Sequence, residues 1–149
     1  MNAELVLEQS MPPLSGSWKA ESALNIEASV LVLIGGFIGG IARFGLARFV
    51  DGKTGNAFPW GTLAVNLSGA FLAGVLAGLA QSTGSLFSSE MVRAFLMIGV
   101  LGGYTTVSSF VLQSHGLARE GEMRLTLIYI AASAIFGVVA AFAGFALAA

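Results

Sequence analysis

Cysteine is absent from the 149 residues and histidine occurs once. The first absence excludes a disulfide framework and thiolate chemistry. The second excludes a histidine metal cluster. Charge is nearly as scarce. Seven Lys+Arg face eight Asp+Glu, and charged residues make up 10% of the chain, against about 25% in an average soluble domain. A net charge of −1 offers no bulk field to draw in a partner. No basic face exists for nucleic acid, and an enzyme would lack its paired carboxylates, His or Cys.

What remains is apolar. Hydrophobic residues form 56% of the chain, and the mean hydropathy is +0.84. Such a composition reads as a small all-α integral membrane protein, since a spanning helix needs roughly 20 apolar residues. Four stretches qualify: 29–50, 60–81, 91–113 and 125–149. The segments between them, 51–59, 82–90 and 114–124, hold turn residues such as Gly52, Gly55, Pro59 and Gly84 and most of the interior charge. They are short, so consecutive helices are antiparallel neighbours. Residues 29–149 therefore form one four-helix domain. Residues 1–28 carry Glu4, Glu8, Lys19, Glu21 and Glu27 and read as a flexible polar tail, in which Trp18 and Leu24 suit the headgroup layer. The tail has neither the basic start nor the apolar core of a signal peptide.

Four spans put both termini on one side of the membrane. That side holds Lys19 and Arg93; the other holds Arg48, Lys53, Arg119 and Arg124. Positive residues favour the cytoplasm, so a bias this small permits insertion in both orientations. Two opposite copies then have the opportunity to pair, and four helices alone make a poor pore wall. A twofold homodimer is the economical assembly. Gly35 with Gly39, Gly36 with Gly40, and the strip Ala70, Gly74, Gly78 let helices approach closely, where van der Waals contact replaces the hydrophobic drive that lipid removes.

Polar groups within the spans are expensive unless paired or wetted, so each is a candidate for function. Asn66 lies six residues into the second span, about 9 Å deep at 1.5 Å per residue. Its amide suits either a clamp between helices or an anion site. The third span carries Gly102 and Gly103 followed by Thr105, Thr106, Ser108 and Ser109. That run predicts a helix broken mid-membrane, where irregular backbone is tolerated only beside protein or a wet cavity. An unwound turn frees carbonyl oxygens for a cation such as Na⁺. In the fourth span, Tyr129, Ser133 and Gly137 follow one another at i, i+4 and share a face. Arg43 is the one charge well inside a span, and either snorkels to the surface or sits in a vestibule that attracts anions. No acidic residue occupies a span core, which argues against a proton- or cation-coupled transporter. The inventory is rich in donors and matches a small anion that accepts hydrogen bonds strongly.

Taken together, Gly-Gly-Ile-Ala-Arg43-Phe, Phe-Pro-Trp-Gly-Thr62-Leu-Ala-Val-Asn66 and Gly-Gly-Tyr-Thr-Thr-Val-Ser-Ser-Phe110, followed by Tyr129 and Ser133, resemble the CrcB/Fluc family of fluoride channels over about residues 30–149. The resemblance implies an antiparallel, dual-topology dimer in the bacterial inner membrane, exporting fluoride passively, with a structural Na⁺ at its centre. It implies that Asn66 and the ring edge of Phe110 meet fluoride and that Tyr129 and Ser133 continue the polar track, with Thr106, Val107 and Ser109 beside the pore. It further implies that the carbonyls of Gly102 and Thr105 bind Na⁺ and that Arg43 lies at the vestibule. Two positions depart from the family pattern: Val107 replaces a second pore Phe, and Gly137 replaces a Ser. Val107 supports an alternative, a non-conducting or heterodimer-partner subunit of the same fold. A small dual-topology multidrug exporter is disfavoured because its class carries a glutamate in the first span.

Overall fold

The structure, a computed structural model, describes residues 18–55, 57–81 and 86–149, with residues 18–25 described by their backbone alone. Helix α1 spans Trp18–Thr54 and α2 spans Trp60–Leu79. A short 3₁₀ turn at Leu86–Ser88 leads into α3, which runs continuously through Glu90–Arg93, a wide π-helical stretch at Ala94–Leu101, and Gly102–Tyr104. After two extended residues come α4, Val107–Arg119, and α5, Met123–Ala148. No strand occurs among the described residues. Four segments are long and apolar enough to cross a membrane: Ile26–Thr54, Trp60–Leu79, Glu90–Arg119 (α3 and α4 together) and Met123–Ala148.

The helices outrun the boundaries that hydropathy suggests. Helix α1 begins at Trp18 rather than near residue 29, so the stretch 18–28 is helical; the rest of the expected tail, 1–17, lies outside the described residues. At its other end α1 absorbs Asp51 and Lys53, and α4 continues to Arg119. Charged residues at a helix end lose nothing by staying helical once they reach the headgroup layer. A segment of 29 residues such as Ile26–Thr54 extends about 43 Å, well beyond a hydrocarbon core of about 30 Å. Lys53 stands 4.2 Å over the Phe49 ring and faces the negative end of the α1 dipole. Gly55, at φ 78°, ends α1 through a bond from its N–H to the Asp51 carbonyl. Gly121, at φ 83°, ends α4 in a paired cap: its N–H reaches Ala118 O, and Glu122 N–H reaches Leu117 O.

Packing joins α1 to α3 and α2 to α5. At Gly35 an added Cβ would lie 2.6 Å from Phe95 O and 2.9 Å from Gly99 Cα, so two backbones touch there. Gly103 meets the backbone of Gly36 in the same seam. Between α2 and α5, Gly74 faces Ala141 O, Gly78 faces Phe145 O, and Gly144 faces Phe71 O. Gly35, Gly39, Gly74 and Gly78 thus lie in close seams as read from the sequence, whereas an added Cβ at Gly40 would meet nothing within 4 Å. Large apolar side chains point outward, among them Leu33, Phe37, Phe142 and Leu147. That distribution suits lipid as the surrounding solvent. The interior is small: Leu63, Leu117 and Tyr129, flanked by Phe58, Leu67, Phe110 and Leu125.

Candidate ion pathway

The break in the third span is built by a few diverted hydrogen bonds. Thr105 sends both its N–H and its hydroxyl to Leu101 O, each at 2.9 Å, and so closes α3. Thr105 (φ −75°, ψ 157°) and Thr106 (φ −149°, ψ 116°) are then extended. The irregular segment is thus two residues long. Gly102 and Gly103, predicted to lie inside it, stay helical. Thr106 starts α4 as its N-cap, its hydroxyl accepting from Ser109 N–H at 3.1 Å.

Asn66, from the middle of α2, holds the break. Its Nδ2 donates to Thr106 O at 3.0 Å, and its Oδ1 accepts from Thr106 N–H at 2.9 Å. The peptide N–H can only donate, so the orientation of the amide is determined. This is the clamp reading. One of the two Nδ2 hydrogens remains for another acceptor, so the anion reading survives beside it.

Diversion of these donors has a second effect. In an unbroken helix Thr106 N–H would bond Gly102 O, and Ser109 N–H would bond Thr105 O. Here the first goes to Asn66 and the second to the Thr106 hydroxyl. The carbonyls of Gly102 and Thr105 therefore lose their helical donors. They are hard oxygen ligands of the kind that suits a hard cation. The hydroxyls of the break bond mostly within it. Thr106 Oγ1 donates to Ser109 Oγ at 3.1 Å and lies 3.1 Å from Ser108 Oγ, while Thr105 Oγ1 is spent on Leu101. They stabilise the break itself.

A cavity of about 660 Å³ lies on the face of the break. Asn66, Thr106, Val107, Phe110 and Ser133 line it, together with Gly102 and Thr105. Seven predicted site residues thus converge on one space, although they come from three spans. Ser133 Oγ is buried and has no hydrogen-bond partner among the described residues. A helical serine ordinarily bonds back to the carbonyl four residues earlier, and an unsatisfied buried hydroxyl costs about 1–3 kcal/mol. Val107 is 76% exposed, and its apolar side chain forms the open lip of the cavity.

The other predicted residues stand apart from this space. Tyr129 is fully buried behind Phe110, with ring centroids 5.3 Å apart, and its hydroxyl donates to Gln113 Oε1 at 3.0 Å. Ser109 supports the N-cap of α4. Arg43 is half-buried on α1 and does not line the cavity. Three contacts had no reading in the sequence. Gln113 anchors Tyr129; as a polar side chain near the end of a span it carried a signal. Asp51 Oδ1 accepts from Gly61 N–H at 2.8 Å and so caps α2 from α1. Tyr104 bonds Ser68 across α3 and α2 at 2.7 Å. Neither of the last two has a local sequence signature.

The model of the family described as CrcB-like protein, Camphor Resistance (CrcB), matches residues 30–145. The chain belongs to the CrcB family. Relatives of this CrcB chain include Fluoride-specific ion channel FluC 3 of Brucella suis biovar 1, 52% identical over 122 residues that cover 82% of this chain and 92% of that protein. Fluoride-specific ion channel FluC of Methylocella silvestris is 44% identical over 113 residues, 76% of this chain and 86% of its own. The protein of the same name from Thermus thermophilus is 40% identical over 124 residues, 83% and 95%. CrcB is an ion-channel family and not an enzyme family. With four apolar spanning helices, this member is a multi-pass membrane protein.

Proposed function

We propose that this chain is a subunit of a fluoride-selective channel that lets fluoride leave the cytoplasm passively across the bacterial inner membrane. The observation that carries the reading is the cavity beside the break. It presents a spare Asn66 N–H and an unpartnered Ser133 hydroxyl, with the Phe110 ring on its wall. Fluoride holds water tightly, so a pore must replace hydration with fixed donors and the positive edges of rings. The names of the relatives point to the same ion.

A structural Na⁺ belongs to this reading. The carbonyls of Gly102 and Thr105, deprived of helical donors, supply two oxygen ligands per chain, and a second copy brings two more. Pairing of two antiparallel copies also supplies the missing wall of the cavity, and the weak charge bias across the loops favours both insertions. Arg43 is assigned to the vestibule. Val107, a cavity-lining residue that stands where the family pattern has a Phe, favours a second reading, in which the chain conducts only beside a different partner or not at all.

The test is growth. A fluoride-sensitive bacterium expressing the chain should grow in fluoride that arrests the same host carrying Asn66→Asp. Equal sensitivity of the two cultures would favour the non-conducting reading.

A further inference from the structure

Two struts straddle the break. Asn66 holds Thr106 on its far side. On its near side Tyr104, the last residue of α3, lies 2.7 Å from the hydroxyl of Ser68, two residues along α2 from Asn66. Proton counting gives the direction. Ser68 has one hydroxyl hydrogen, and its Oγ lies 2.7 Å from Ala64 O and 3.1 Å from Val65 O, acceptors that take that hydrogen. Tyr104 is therefore the donor to Ser68. The seat is shaped for it: at Gly69 an added Cβ would lie 3.2 Å from Tyr104 Cδ1 and would meet the Thr105 methyl. On the opposite side, an added Cβ at Gly39 would lie 2.8 Å from Tyr104 N. Tyr104 sits between the two residues whose carbonyls have lost their helical donors.

We infer that Tyr104 is a positioning residue for the cation site: its bond to Ser68 fixes the spacing and aim of the Gly102 and Thr105 carbonyls. The inference rests on the Na⁺ reading above. The Gly102 carbonyl lies in the last turn of α3 and the Thr105 carbonyl on the extended segment that follows, so the turn at Tyr104 sets the angle between them. Asn66 anchors the segment beyond this turn through Thr106, and the Tyr104–Ser68 bond ties the turn itself to α2 at a second point. Preorganised ligands bind more tightly because less ordering remains to be done on binding.

The experiment measures Na⁺ binding apart from conduction. The full chain in detergent is titrated with Na⁺ against N-methylglucamine at constant ionic strength, and the rise in unfolding temperature is read. Tyr104→Phe should need roughly two- to tenfold more Na⁺ for half the rise, the range that loss of one hydrogen bond spans. Ser68→Ala should shift the midpoint alike, and the double variant should add nothing further. Thr126→Ala, which loses a hydroxyl bond to Glu122 O elsewhere in the bundle, should leave the midpoint in place. Fluoride efflux by Tyr104→Phe at saturating Na⁺ should match the parent. An unshifted midpoint in Tyr104→Phe, or additive shifts in the double variant, overturns the strut. A parent without any Na⁺ response overturns the cation site and the strut together. A parent that Na⁺ stabilises but that passes no fluoride removes the channel reading, and the same titration still decides the strut; should Tyr104→Phe fail to fold, Ser68→Ala decides it.

Discussion

Asn66 and Thr106, forty residues apart, exchange two hydrogen bonds of 3.0 and 2.9 Å, and the third span is broken where they meet. One side chain thus does three things. It satisfies the two backbone groups of Thr106, diverts the donor that Gly102 would have had, and leaves one N–H unspent on a residue that lines the cavity. Asn66→Asp retains the shape but sets a carboxylate oxygen against the Thr106 carbonyl and the permeating anion. Fluoride efflux should fall by roughly ten- to a hundredfold, the equivalent of about 1.4–2.8 kcal/mol in the barrier. Asn66→Ala should also lower stability by about 1–3 kcal/mol, because buried backbone groups lose their partners; thermal unfolding in detergent measures this.

Val107 and Phe110 flank the same cavity with unequal means. Phe110 offers a ring edge and Val107 does not. A ring-edge contact is worth about 0.5–1.5 kcal/mol by analogy with aromatic pairs, so Val107→Phe should raise fluoride efflux by roughly two- to tenfold. Phe110→Ile should nearly abolish it. Unchanged or reduced efflux in Val107→Phe would place the ion's path elsewhere.

The seam between α1 and α3 leaves no room for a methyl group at Gly35, where the Cβ would lie 2.6 Å from a carbonyl oxygen. Gly35→Ala should cost about 1–3 kcal/mol through overpacking. Gly45→Ala, in the same helix with nothing within 4 Å, should be neutral or stabilising by about 0.5–1 kcal/mol. Thermal unfolding of the two purified variants separates them.

Membrane orientation gives another test. Three added Lys in the loop between α2 and α3 should drive one orientation and lower fluoride efflux from cells. Co-expression with an oppositely biased copy should restore it. Full efflux from the biased chain alone would rule out an antiparallel pair.

The spans were plain in the sequence because charge is so rare that each loop stands out. Their ends were not, since a helix continues into the headgroup layer without any hydropathy signal, as α1 does through Asp51. The break was announced by Gly102, Gly103 and the hydroxyls after them, but its extent was overstated. The two glycines remain helical, Gly103 packed against the backbone of Gly36. Of the hydroxyls that follow, that of Thr105 bonds Leu101 and that of Thr106 caps α4. The convergence of Asn66, Phe110 and Ser133 followed from family resemblance, whereas the bonds Asn66–Thr106 and Tyr104–Ser68 join distant segments and leave no periodicity to read. The π-helical stretch at Ala94–Leu101 likewise had no signature in a run of ordinary apolar residues.

The most direct measurement is anion release from liposomes that hold the purified chain in Na⁺ buffer, followed with fluoride- and chloride-selective electrodes. The proposed channel predicts that fluoride leaves far faster than from empty liposomes while chloride is retained. Fluoride held as long as in empty liposomes, or chloride released alongside it, would contradict it.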